Sequence, residues 1–161
     1  MKRIIVMSML LVSIVSAYAQ SGKSIYQKYS DADGVSAVFI SQSMFRMMGR
    51  IPDIDAGSGD VNLAPIIESL TGLYIIDSEN PAVNADLKAD VNRLLNSGTY
   101  EMLMEAKDNG ETVRIYTAGN ETVVTSFILV SLSGAEATFI CIDGRIDRAQ
   151  LEEMLAKEMG E

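Results

Sequence analysis

No histidine and no tryptophan occur in the 161 residues, cysteine appears once as Cys141, and there are only three prolines. The missing histidine removes the commonest general base, every serine or cysteine triad built on it, and most zinc sites. A lone cysteine excludes an intramolecular disulfide, so stability has to come from an ordinary core of Val, Ile, Leu, Phe and Met. Positive charge is also scarce: 13 Lys and Arg stand against 22 Asp and Glu, a net charge of −9. Such a surface repels polyphosphate and anionic lipid, which argues against nucleic-acid and membrane-surface roles.

Long apolar runs are absent after the first. Lys2 and Arg3 precede an apolar stretch from Ile4 to Val15, and Ala17-Tyr18-Ala19 before Gln20 is a small-x-small cleavage site. That arrangement predicts a signal peptide over residues 1–19, too short to stay as a membrane span. Cleavage there would leave roughly 140 residues, a length that suits one domain. It would also remove two positive charges and no negative ones, making the remainder more acidic. The expectation is an exported protein, periplasmic or secreted, with a single α+β domain over 20–161 and no membrane span or lipid anchor after cleavage.

What is present reads as alternating strands and helices. Residues 20–34 form an N-terminal arm or short helix, with Tyr26 and Tyr29 three apart. Val35–Ser41 is a strand with Val35, Ala37 and Phe39 on one face and Val38 and Ile40 on the other, buried at least in part on both. Ser41 or Ser43 then caps a helix through Met48 that Gly49 ends. Residues 51–60 are a loop. Ala64–Leu70 predicts a short helix and Leu73–Asp77 a second strand. Asn80-Pro81 starts the clearest helix, with Val83, Leu87, Val91, Leu94 and Leu95 on one stripe and Gly98 as its stop. Four strands follow at about 99–106, 112–117, 121–132 and 136–142. The turns between them, Asp108-Asn109-Gly110, Gly119-Asn120 and Ser133-Gly134, are short enough to join only antiparallel neighbours. Glu121–Leu132 is apolar on both faces, as in a central strand. Asp147 caps a last helix, with Gln150 three residues on and Leu151, Met154 and Leu155 inward. The fold class is α+β: a largely antiparallel sheet with a C-terminal four-strand meander and helices packed chiefly on one face.

The residues offer little catalytic chemistry. There is no S-x-x-K, no P-loop, and no G-x-G-x-x-G after a strand. Asp77 with Glu79, or Glu101 with Glu105 on one face of a meander strand, are the acid pairs a glycosidase would need. Aromatic platforms for sugars are lacking, and solvated acids are the plainer reading. Asp53, Asp55 and Asp60 on a glycine-rich loop suit calcium by ligand type but depart from an EF-hand at three positions, so a loop is the favoured reading. Met44, Met47 and Met48 have the spacing of a copper-binding thioether cluster, of a core stripe, or of an adaptable partner or ligand surface. With no His or Cys beside them, core packing is the expectation. Cys141, within Phe139-Ile140-Cys141-Ile142, should be buried and inert. Asn120-Glu121-Thr122 matches a glycosylation sequon, which matters only in a host that uses it.

Tyr29 before Gly34-Val35, the strand Val38-Phe39-Ile40-Ser41 running into Met44, Gly98-Thr99-Tyr100-Glu101-Met102-Leu103-Met104, and Ile140-Cys141-Ile142-Asp143-Gly144-Arg145-Ile146-Asp147 leading to Leu151 form a pattern. It resembles the exported bacterial domain-of-unknown-function family 4252 across almost the whole mature chain. The resemblance implies a Gram-negative envelope location and brings no activity or catalytic residues. Members are often lipid-anchored, whereas this chain has Gln20 where the lipidated cysteine would stand. Gly144 is read as a tight exit from the last strand and Asp147 as a helix cap.

Three functions are ranked from these features. First is a non-enzymatic module that binds another envelope protein, second a carrier of a small apolar ligand, and third a carboxylate-based hydrolase or carbohydrate-binding protein. No cofactor is expected.

Overall fold

The computed structural model describes residues 21–48, 64–150 and 152. The expected signal peptide, the Asp53, Asp55 and Asp60 loop, and the inward residues of the last helix lie outside them.

Ser21 opens helix α1 (Gly22–Tyr29) with a reciprocal cap. Its hydroxyl accepts from the Ser24 amide, and the Ser24 hydroxyl accepts from the Ser21 amide. A turn through Gly34, at φ 75°, leads into strand β1 (Val35–Ser41). Helix α2 (Gln42–Met48) follows without a loop, and the Met44 amide donates to the Ser41 hydroxyl. Helix α3 (Ala64–Ser69) runs directly into strand β2 (Leu70–Ser78). Asn80 caps helix α4 (Pro81–Leu95) by accepting from the Ala82 amide, while its side-chain amide donates to the Asp33 carbonyl. One residue therefore fixes both the start of α4 and the turn before β1.

Strands β3 (Tyr100–Asp108), β4 (Glu111–Gly119), β5 (Val123–Leu132) and β6 (Ala137–Asp147) complete a single six-stranded sheet in the order β1-β2-β6-β5-β4-β3, antiparallel throughout. Asn109 and Gly110, at φ 47° and 90°, make the two-residue turn between β3 and β4. Between β4 and β5, the Asn120 side chain accepts from the Thr122 and Val123 amides.

The core lies on one face. Leu87, Val91, Leu94 and Leu95 of α4 and Ile25 and Tyr29 of α1 pack on Tyr74, Ile76, Ile128, Val130, Phe139 and Cys141. The sheet's apolar alternation places these strand residues on the same side, and the α4 stripe is the one its sequence predicts. Gly22 permits the close contact of α1, since a methyl there would overlap the Cys141 sulfur.

β1 is an edge strand that is partly buried on both faces, through Val35 and Ala37 on one and Ile40 on the other, while Val38 and Phe39 are 47% and 49% exposed. Three sequence expectations need correction. α4 stops at Leu95 with Asn96 as its cap, and Gly98 serves the turn beyond. β6 continues through Gly144 to Asp147 because Gly144 lets the end of α3 come close: a Cβ there would sit 3.0 Å from the Ser69 carbonyl. Met44 and Met47 are not core residues. Phe45 takes the buried position of α2, leaving them 45% and 64% exposed.

Candidate functional site

The sheet face opposite α1 and α4 carries an apolar band. Register aligns Val38, Ile75, Ile140, Leu129, Ile115 and Met104 in one row that crosses all six strands. Beside it Ile40, Leu73, Ile142 and Phe127 form a second row that ends at Thr117 and Glu101. β2, β5 and β6 show the consequence. Their core-facing residues are buried, whereas Leu73, Ile75, Phe127, Leu129, Ile140 and Ile142 all keep part of their surface in water. The ends of the first row are the most open, Val38 at 47% and Met104 at 45%. Helices α2 and α3 pack on each other and meet the sheet at β1, β2 and β6, at the end where β1 finishes and β2 begins.

The next row is polar: Ser36, Asp77, Thr138 and Ser131, closed by Val113 and Ala106. The Thr138 hydroxyl donates to Asp77, and the Ser131 hydroxyl donates to Glu111. Within the regularly paired part of the sheet, the charged residues on this face are Asp77, Glu101, Asp108 and Glu111. Lys107 and Arg114 fall on the opposite face, where both pair with Glu105 at 2.7 Å and hold its carboxyl below the usual range. On the regularly paired part of the sheet, the charged residues beside the apolar band are thus all acids.

Edge strand β3 adds to the exposed apolar surface. Met102, Leu103 and Met104 are all about half in water, and a register shift between Met102 and Met104 makes Leu103 a bulge. The bulge also separates the Glu101 and Glu105 pair, in keeping with the plainer reading of solvated acids. Glu101 lies opposite Thr117 and Glu105 opposite Arg114, so they face opposite sides of the sheet. The other pair is no closer to an acid-base site, since Asp77 is occupied by Thr138.

Asp90 and Cys141 are buried on the core face. Asp90 accepts from Lys28, from the Tyr29 hydroxyl at 2.7 Å and from Arg93 at 2.8 Å, joining α1 to α4. Burial alone would raise its pKa, but these hydrogen bonds and charges reverse the effect and lower it. The cluster has only a faint signal in the sequence: Asp90 sits three residues after Leu87 and four before Leu94, inside the apolar stripe. A carboxylate in that position signals a buried partner. Cys141 lies under α1 and contacts Ser126 and Asp143; burial and the Asp143 charge push its thiol up to about 12. It is a core residue, as its neighbours in sequence imply.

Among the described residues, no group of three or more Cys, Asp or Glu side chains is placed to hold a metal ion, and no helix is long and apolar enough to cross a membrane. The model of the family described as Domain of unknown function (DUF4252) matches residues 29–154. The chain belongs to this family. The match takes in all six strands and α4, hence the whole apolar band, and the family's description names no activity. No curated protein and no solved structure matches the chain.

Proposed function

We propose that this DUF4252 member is an exported, non-enzymatic binding module that docks another envelope protein on the apolar band of its sheet. The observation that carries the reading is the six-strand row from Val38 to Met104, exposed at both ends and half-buried between them. Contiguous apolar side chains that reach solvent mark interaction sites. A sheet face has its backbone groups already paired, so it offers shape and apolar area without strand addition. Met44 and Met47 lie outside this row as exposed, adaptable apolar side chains that can extend a contact. Export rests on the charged, apolar and small-residue order of residues 2–19.

The test is site-specific photo-crosslinking in cells of the native host, with the probe at Leu129 or Ile140 and, as control, at exposed Lys88 on α4. A discrete adduct from the sheet positions and none from Lys88 is the expected result. Equal labelling, or recovery of the uncrosslinked monomer from every position, would overturn the reading.

A further inference from the structure

We infer that the occupant of the apolar band is a basic amphipathic helix of the partner. The inference rests on the docking reading above and adds to it the chemistry of the partner. Three observations lead there. First, the four inner strands under the band, β2, β6, β5 and β4, are paired on both sides, so a segment laid across the face must satisfy its own backbone hydrogen bonds, which a helix does internally. Second, the dimensions fit. Six strands about 4.8 Å apart span about 24 Å, the length of about 16 helical residues, and two rows give the width of one apolar helix stripe.

Third, the charged residues on this face of the regularly paired sheet are all acids. Asp77 lies in the polar row beside the band, Asp108 and Glu111 beyond that row, and Glu101 at the β3 end, with Lys107 and Arg114 turned to the other face. Lys or Arg beside the helix's apolar stripe would meet these carboxylates. A second copy of this chain would instead bring two sets of acids together, and an anionic lipid surface would be repelled. Charge complementarity therefore selects the basic helix over both.

The experiment uses the purified protein and two labelled peptides of about 18 residues, one of Leu and Lys with all Leu on a single helical stripe, the other with Glu in place of Lys. Binding is read by fluorescence anisotropy. The Leu/Lys peptide is expected to bind saturably and to weaken about tenfold or more as salt rises from about 0.05 to about 0.5 M, and the Leu/Glu peptide not to bind. Ile140→Ser with Leu129→Ser should abolish binding. Asp77→Asn with Glu111→Gln, which keeps the acceptors for Thr138 and Ser131, should weaken it about threefold to tenfold and flatten the salt dependence. Binding that survives the Ile140 and Leu129 changes would be mere attraction of an acidic chain for a cation, and would overturn the inference. So would equal binding of both peptides, no binding of either, or concentration-dependent dimerisation in sedimentation that those changes abolish. If crosslinking from the band succeeds while the Leu/Lys peptide fails, only the basic helix is lost; if crosslinking fails, the docking reading falls with it.

Discussion

Removing the Asp90 carboxylate should loosen the N-terminal helix from α4 and cost a measurable part of the fold's stability. Three donors converge on this side chain, which is only 7% exposed, but they are not equivalent. Lys28 and Arg93 are 57% and 67% exposed, so each can return to water at little cost. Tyr29 is buried, and its hydroxyl would lose its acceptor. Asp90→Ala should therefore destabilise by about 2–4 kcal/mol, the loss of a charged hydrogen bond together with a stranded hydroxyl. Asp90→Asn keeps an acceptor for Tyr29 and should cost about 1 kcal/mol. Urea unfolding followed by circular dichroism measures both. A double-mutant cycle isolates the mechanism: Asp90→Ala added to Tyr29→Phe should cost about 1 kcal/mol less than the sum of the two, because no hydroxyl remains to strand.

The pH dependence has a definite sign. Burial is the largest influence on Asp90 and would raise its pKa, but Lys28, Tyr29 and Arg93 together lower it. A carboxyl depressed in the folded state stabilises fully above its unfolded value, about 4, and that contribution fades as pH falls through the folded value. Lys28 is raised, first by its hydrogen bond to Asp90, so its share is complete below about 10.4 and is lost as pH rises through the higher folded value. The gap between wild type and Asp90→Asn should thus be widest between these limits and shrink in acid. An additive cycle, or an Asp90→Ala protein within about 0.5 kcal/mol of wild type at neutral pH, would refute the reasoning.

Gly22→Ala should destabilise by about 1–3 kcal/mol in the same urea assay despite the better helix propensity of alanine, because its methyl runs into Cys141; an unchanged midpoint would show that α1 can shift freely. The Cys141 thiol should resist a disulfide reagent at pH 8 in the folded protein and react fully once unfolded, with rapid native labelling counting against the burial described. Gly119→Ala, at φ 146° and against the Val123 backbone, should cost more than Gly134→Ala, where a Cβ meets nothing within 4 Å; comparable melting temperatures for the two would contradict the geometry.

Much of this architecture follows from local pattern. Asn80-Pro81 and the Leu87, Val91, Leu94 spacing place α4 correctly because capping and a 3.6-residue period act within the segment itself. Asn109-Gly110 marks its hairpin because only residues tolerant of positive φ make that turn. The exposed methionines of α2 differ from the sequence expectation for a complementary reason. Met44, Phe45, Met47 and Met48 are all apolar, and nothing within the helix says that Phe45 alone meets the body of the protein. Glu101 and Glu105 likewise share parity in sequence, yet the bulge at Leu103 separates them.

By itself, the sequence determined the α+β class, the meander, the inert cysteine and the exclusion of histidine-based chemistry, since each depends on composition or on neighbours along the chain. Tertiary structure alone decided that Val38, Ile75, Ile140, Leu129, Ile115 and Met104 form one row, that acids border it, and that Asp90 ties α1 to α4. Those facts depend on strand order and register. Both are set by pairings between residues far apart in sequence, where the burial of one face fixes which side chains of the other come together.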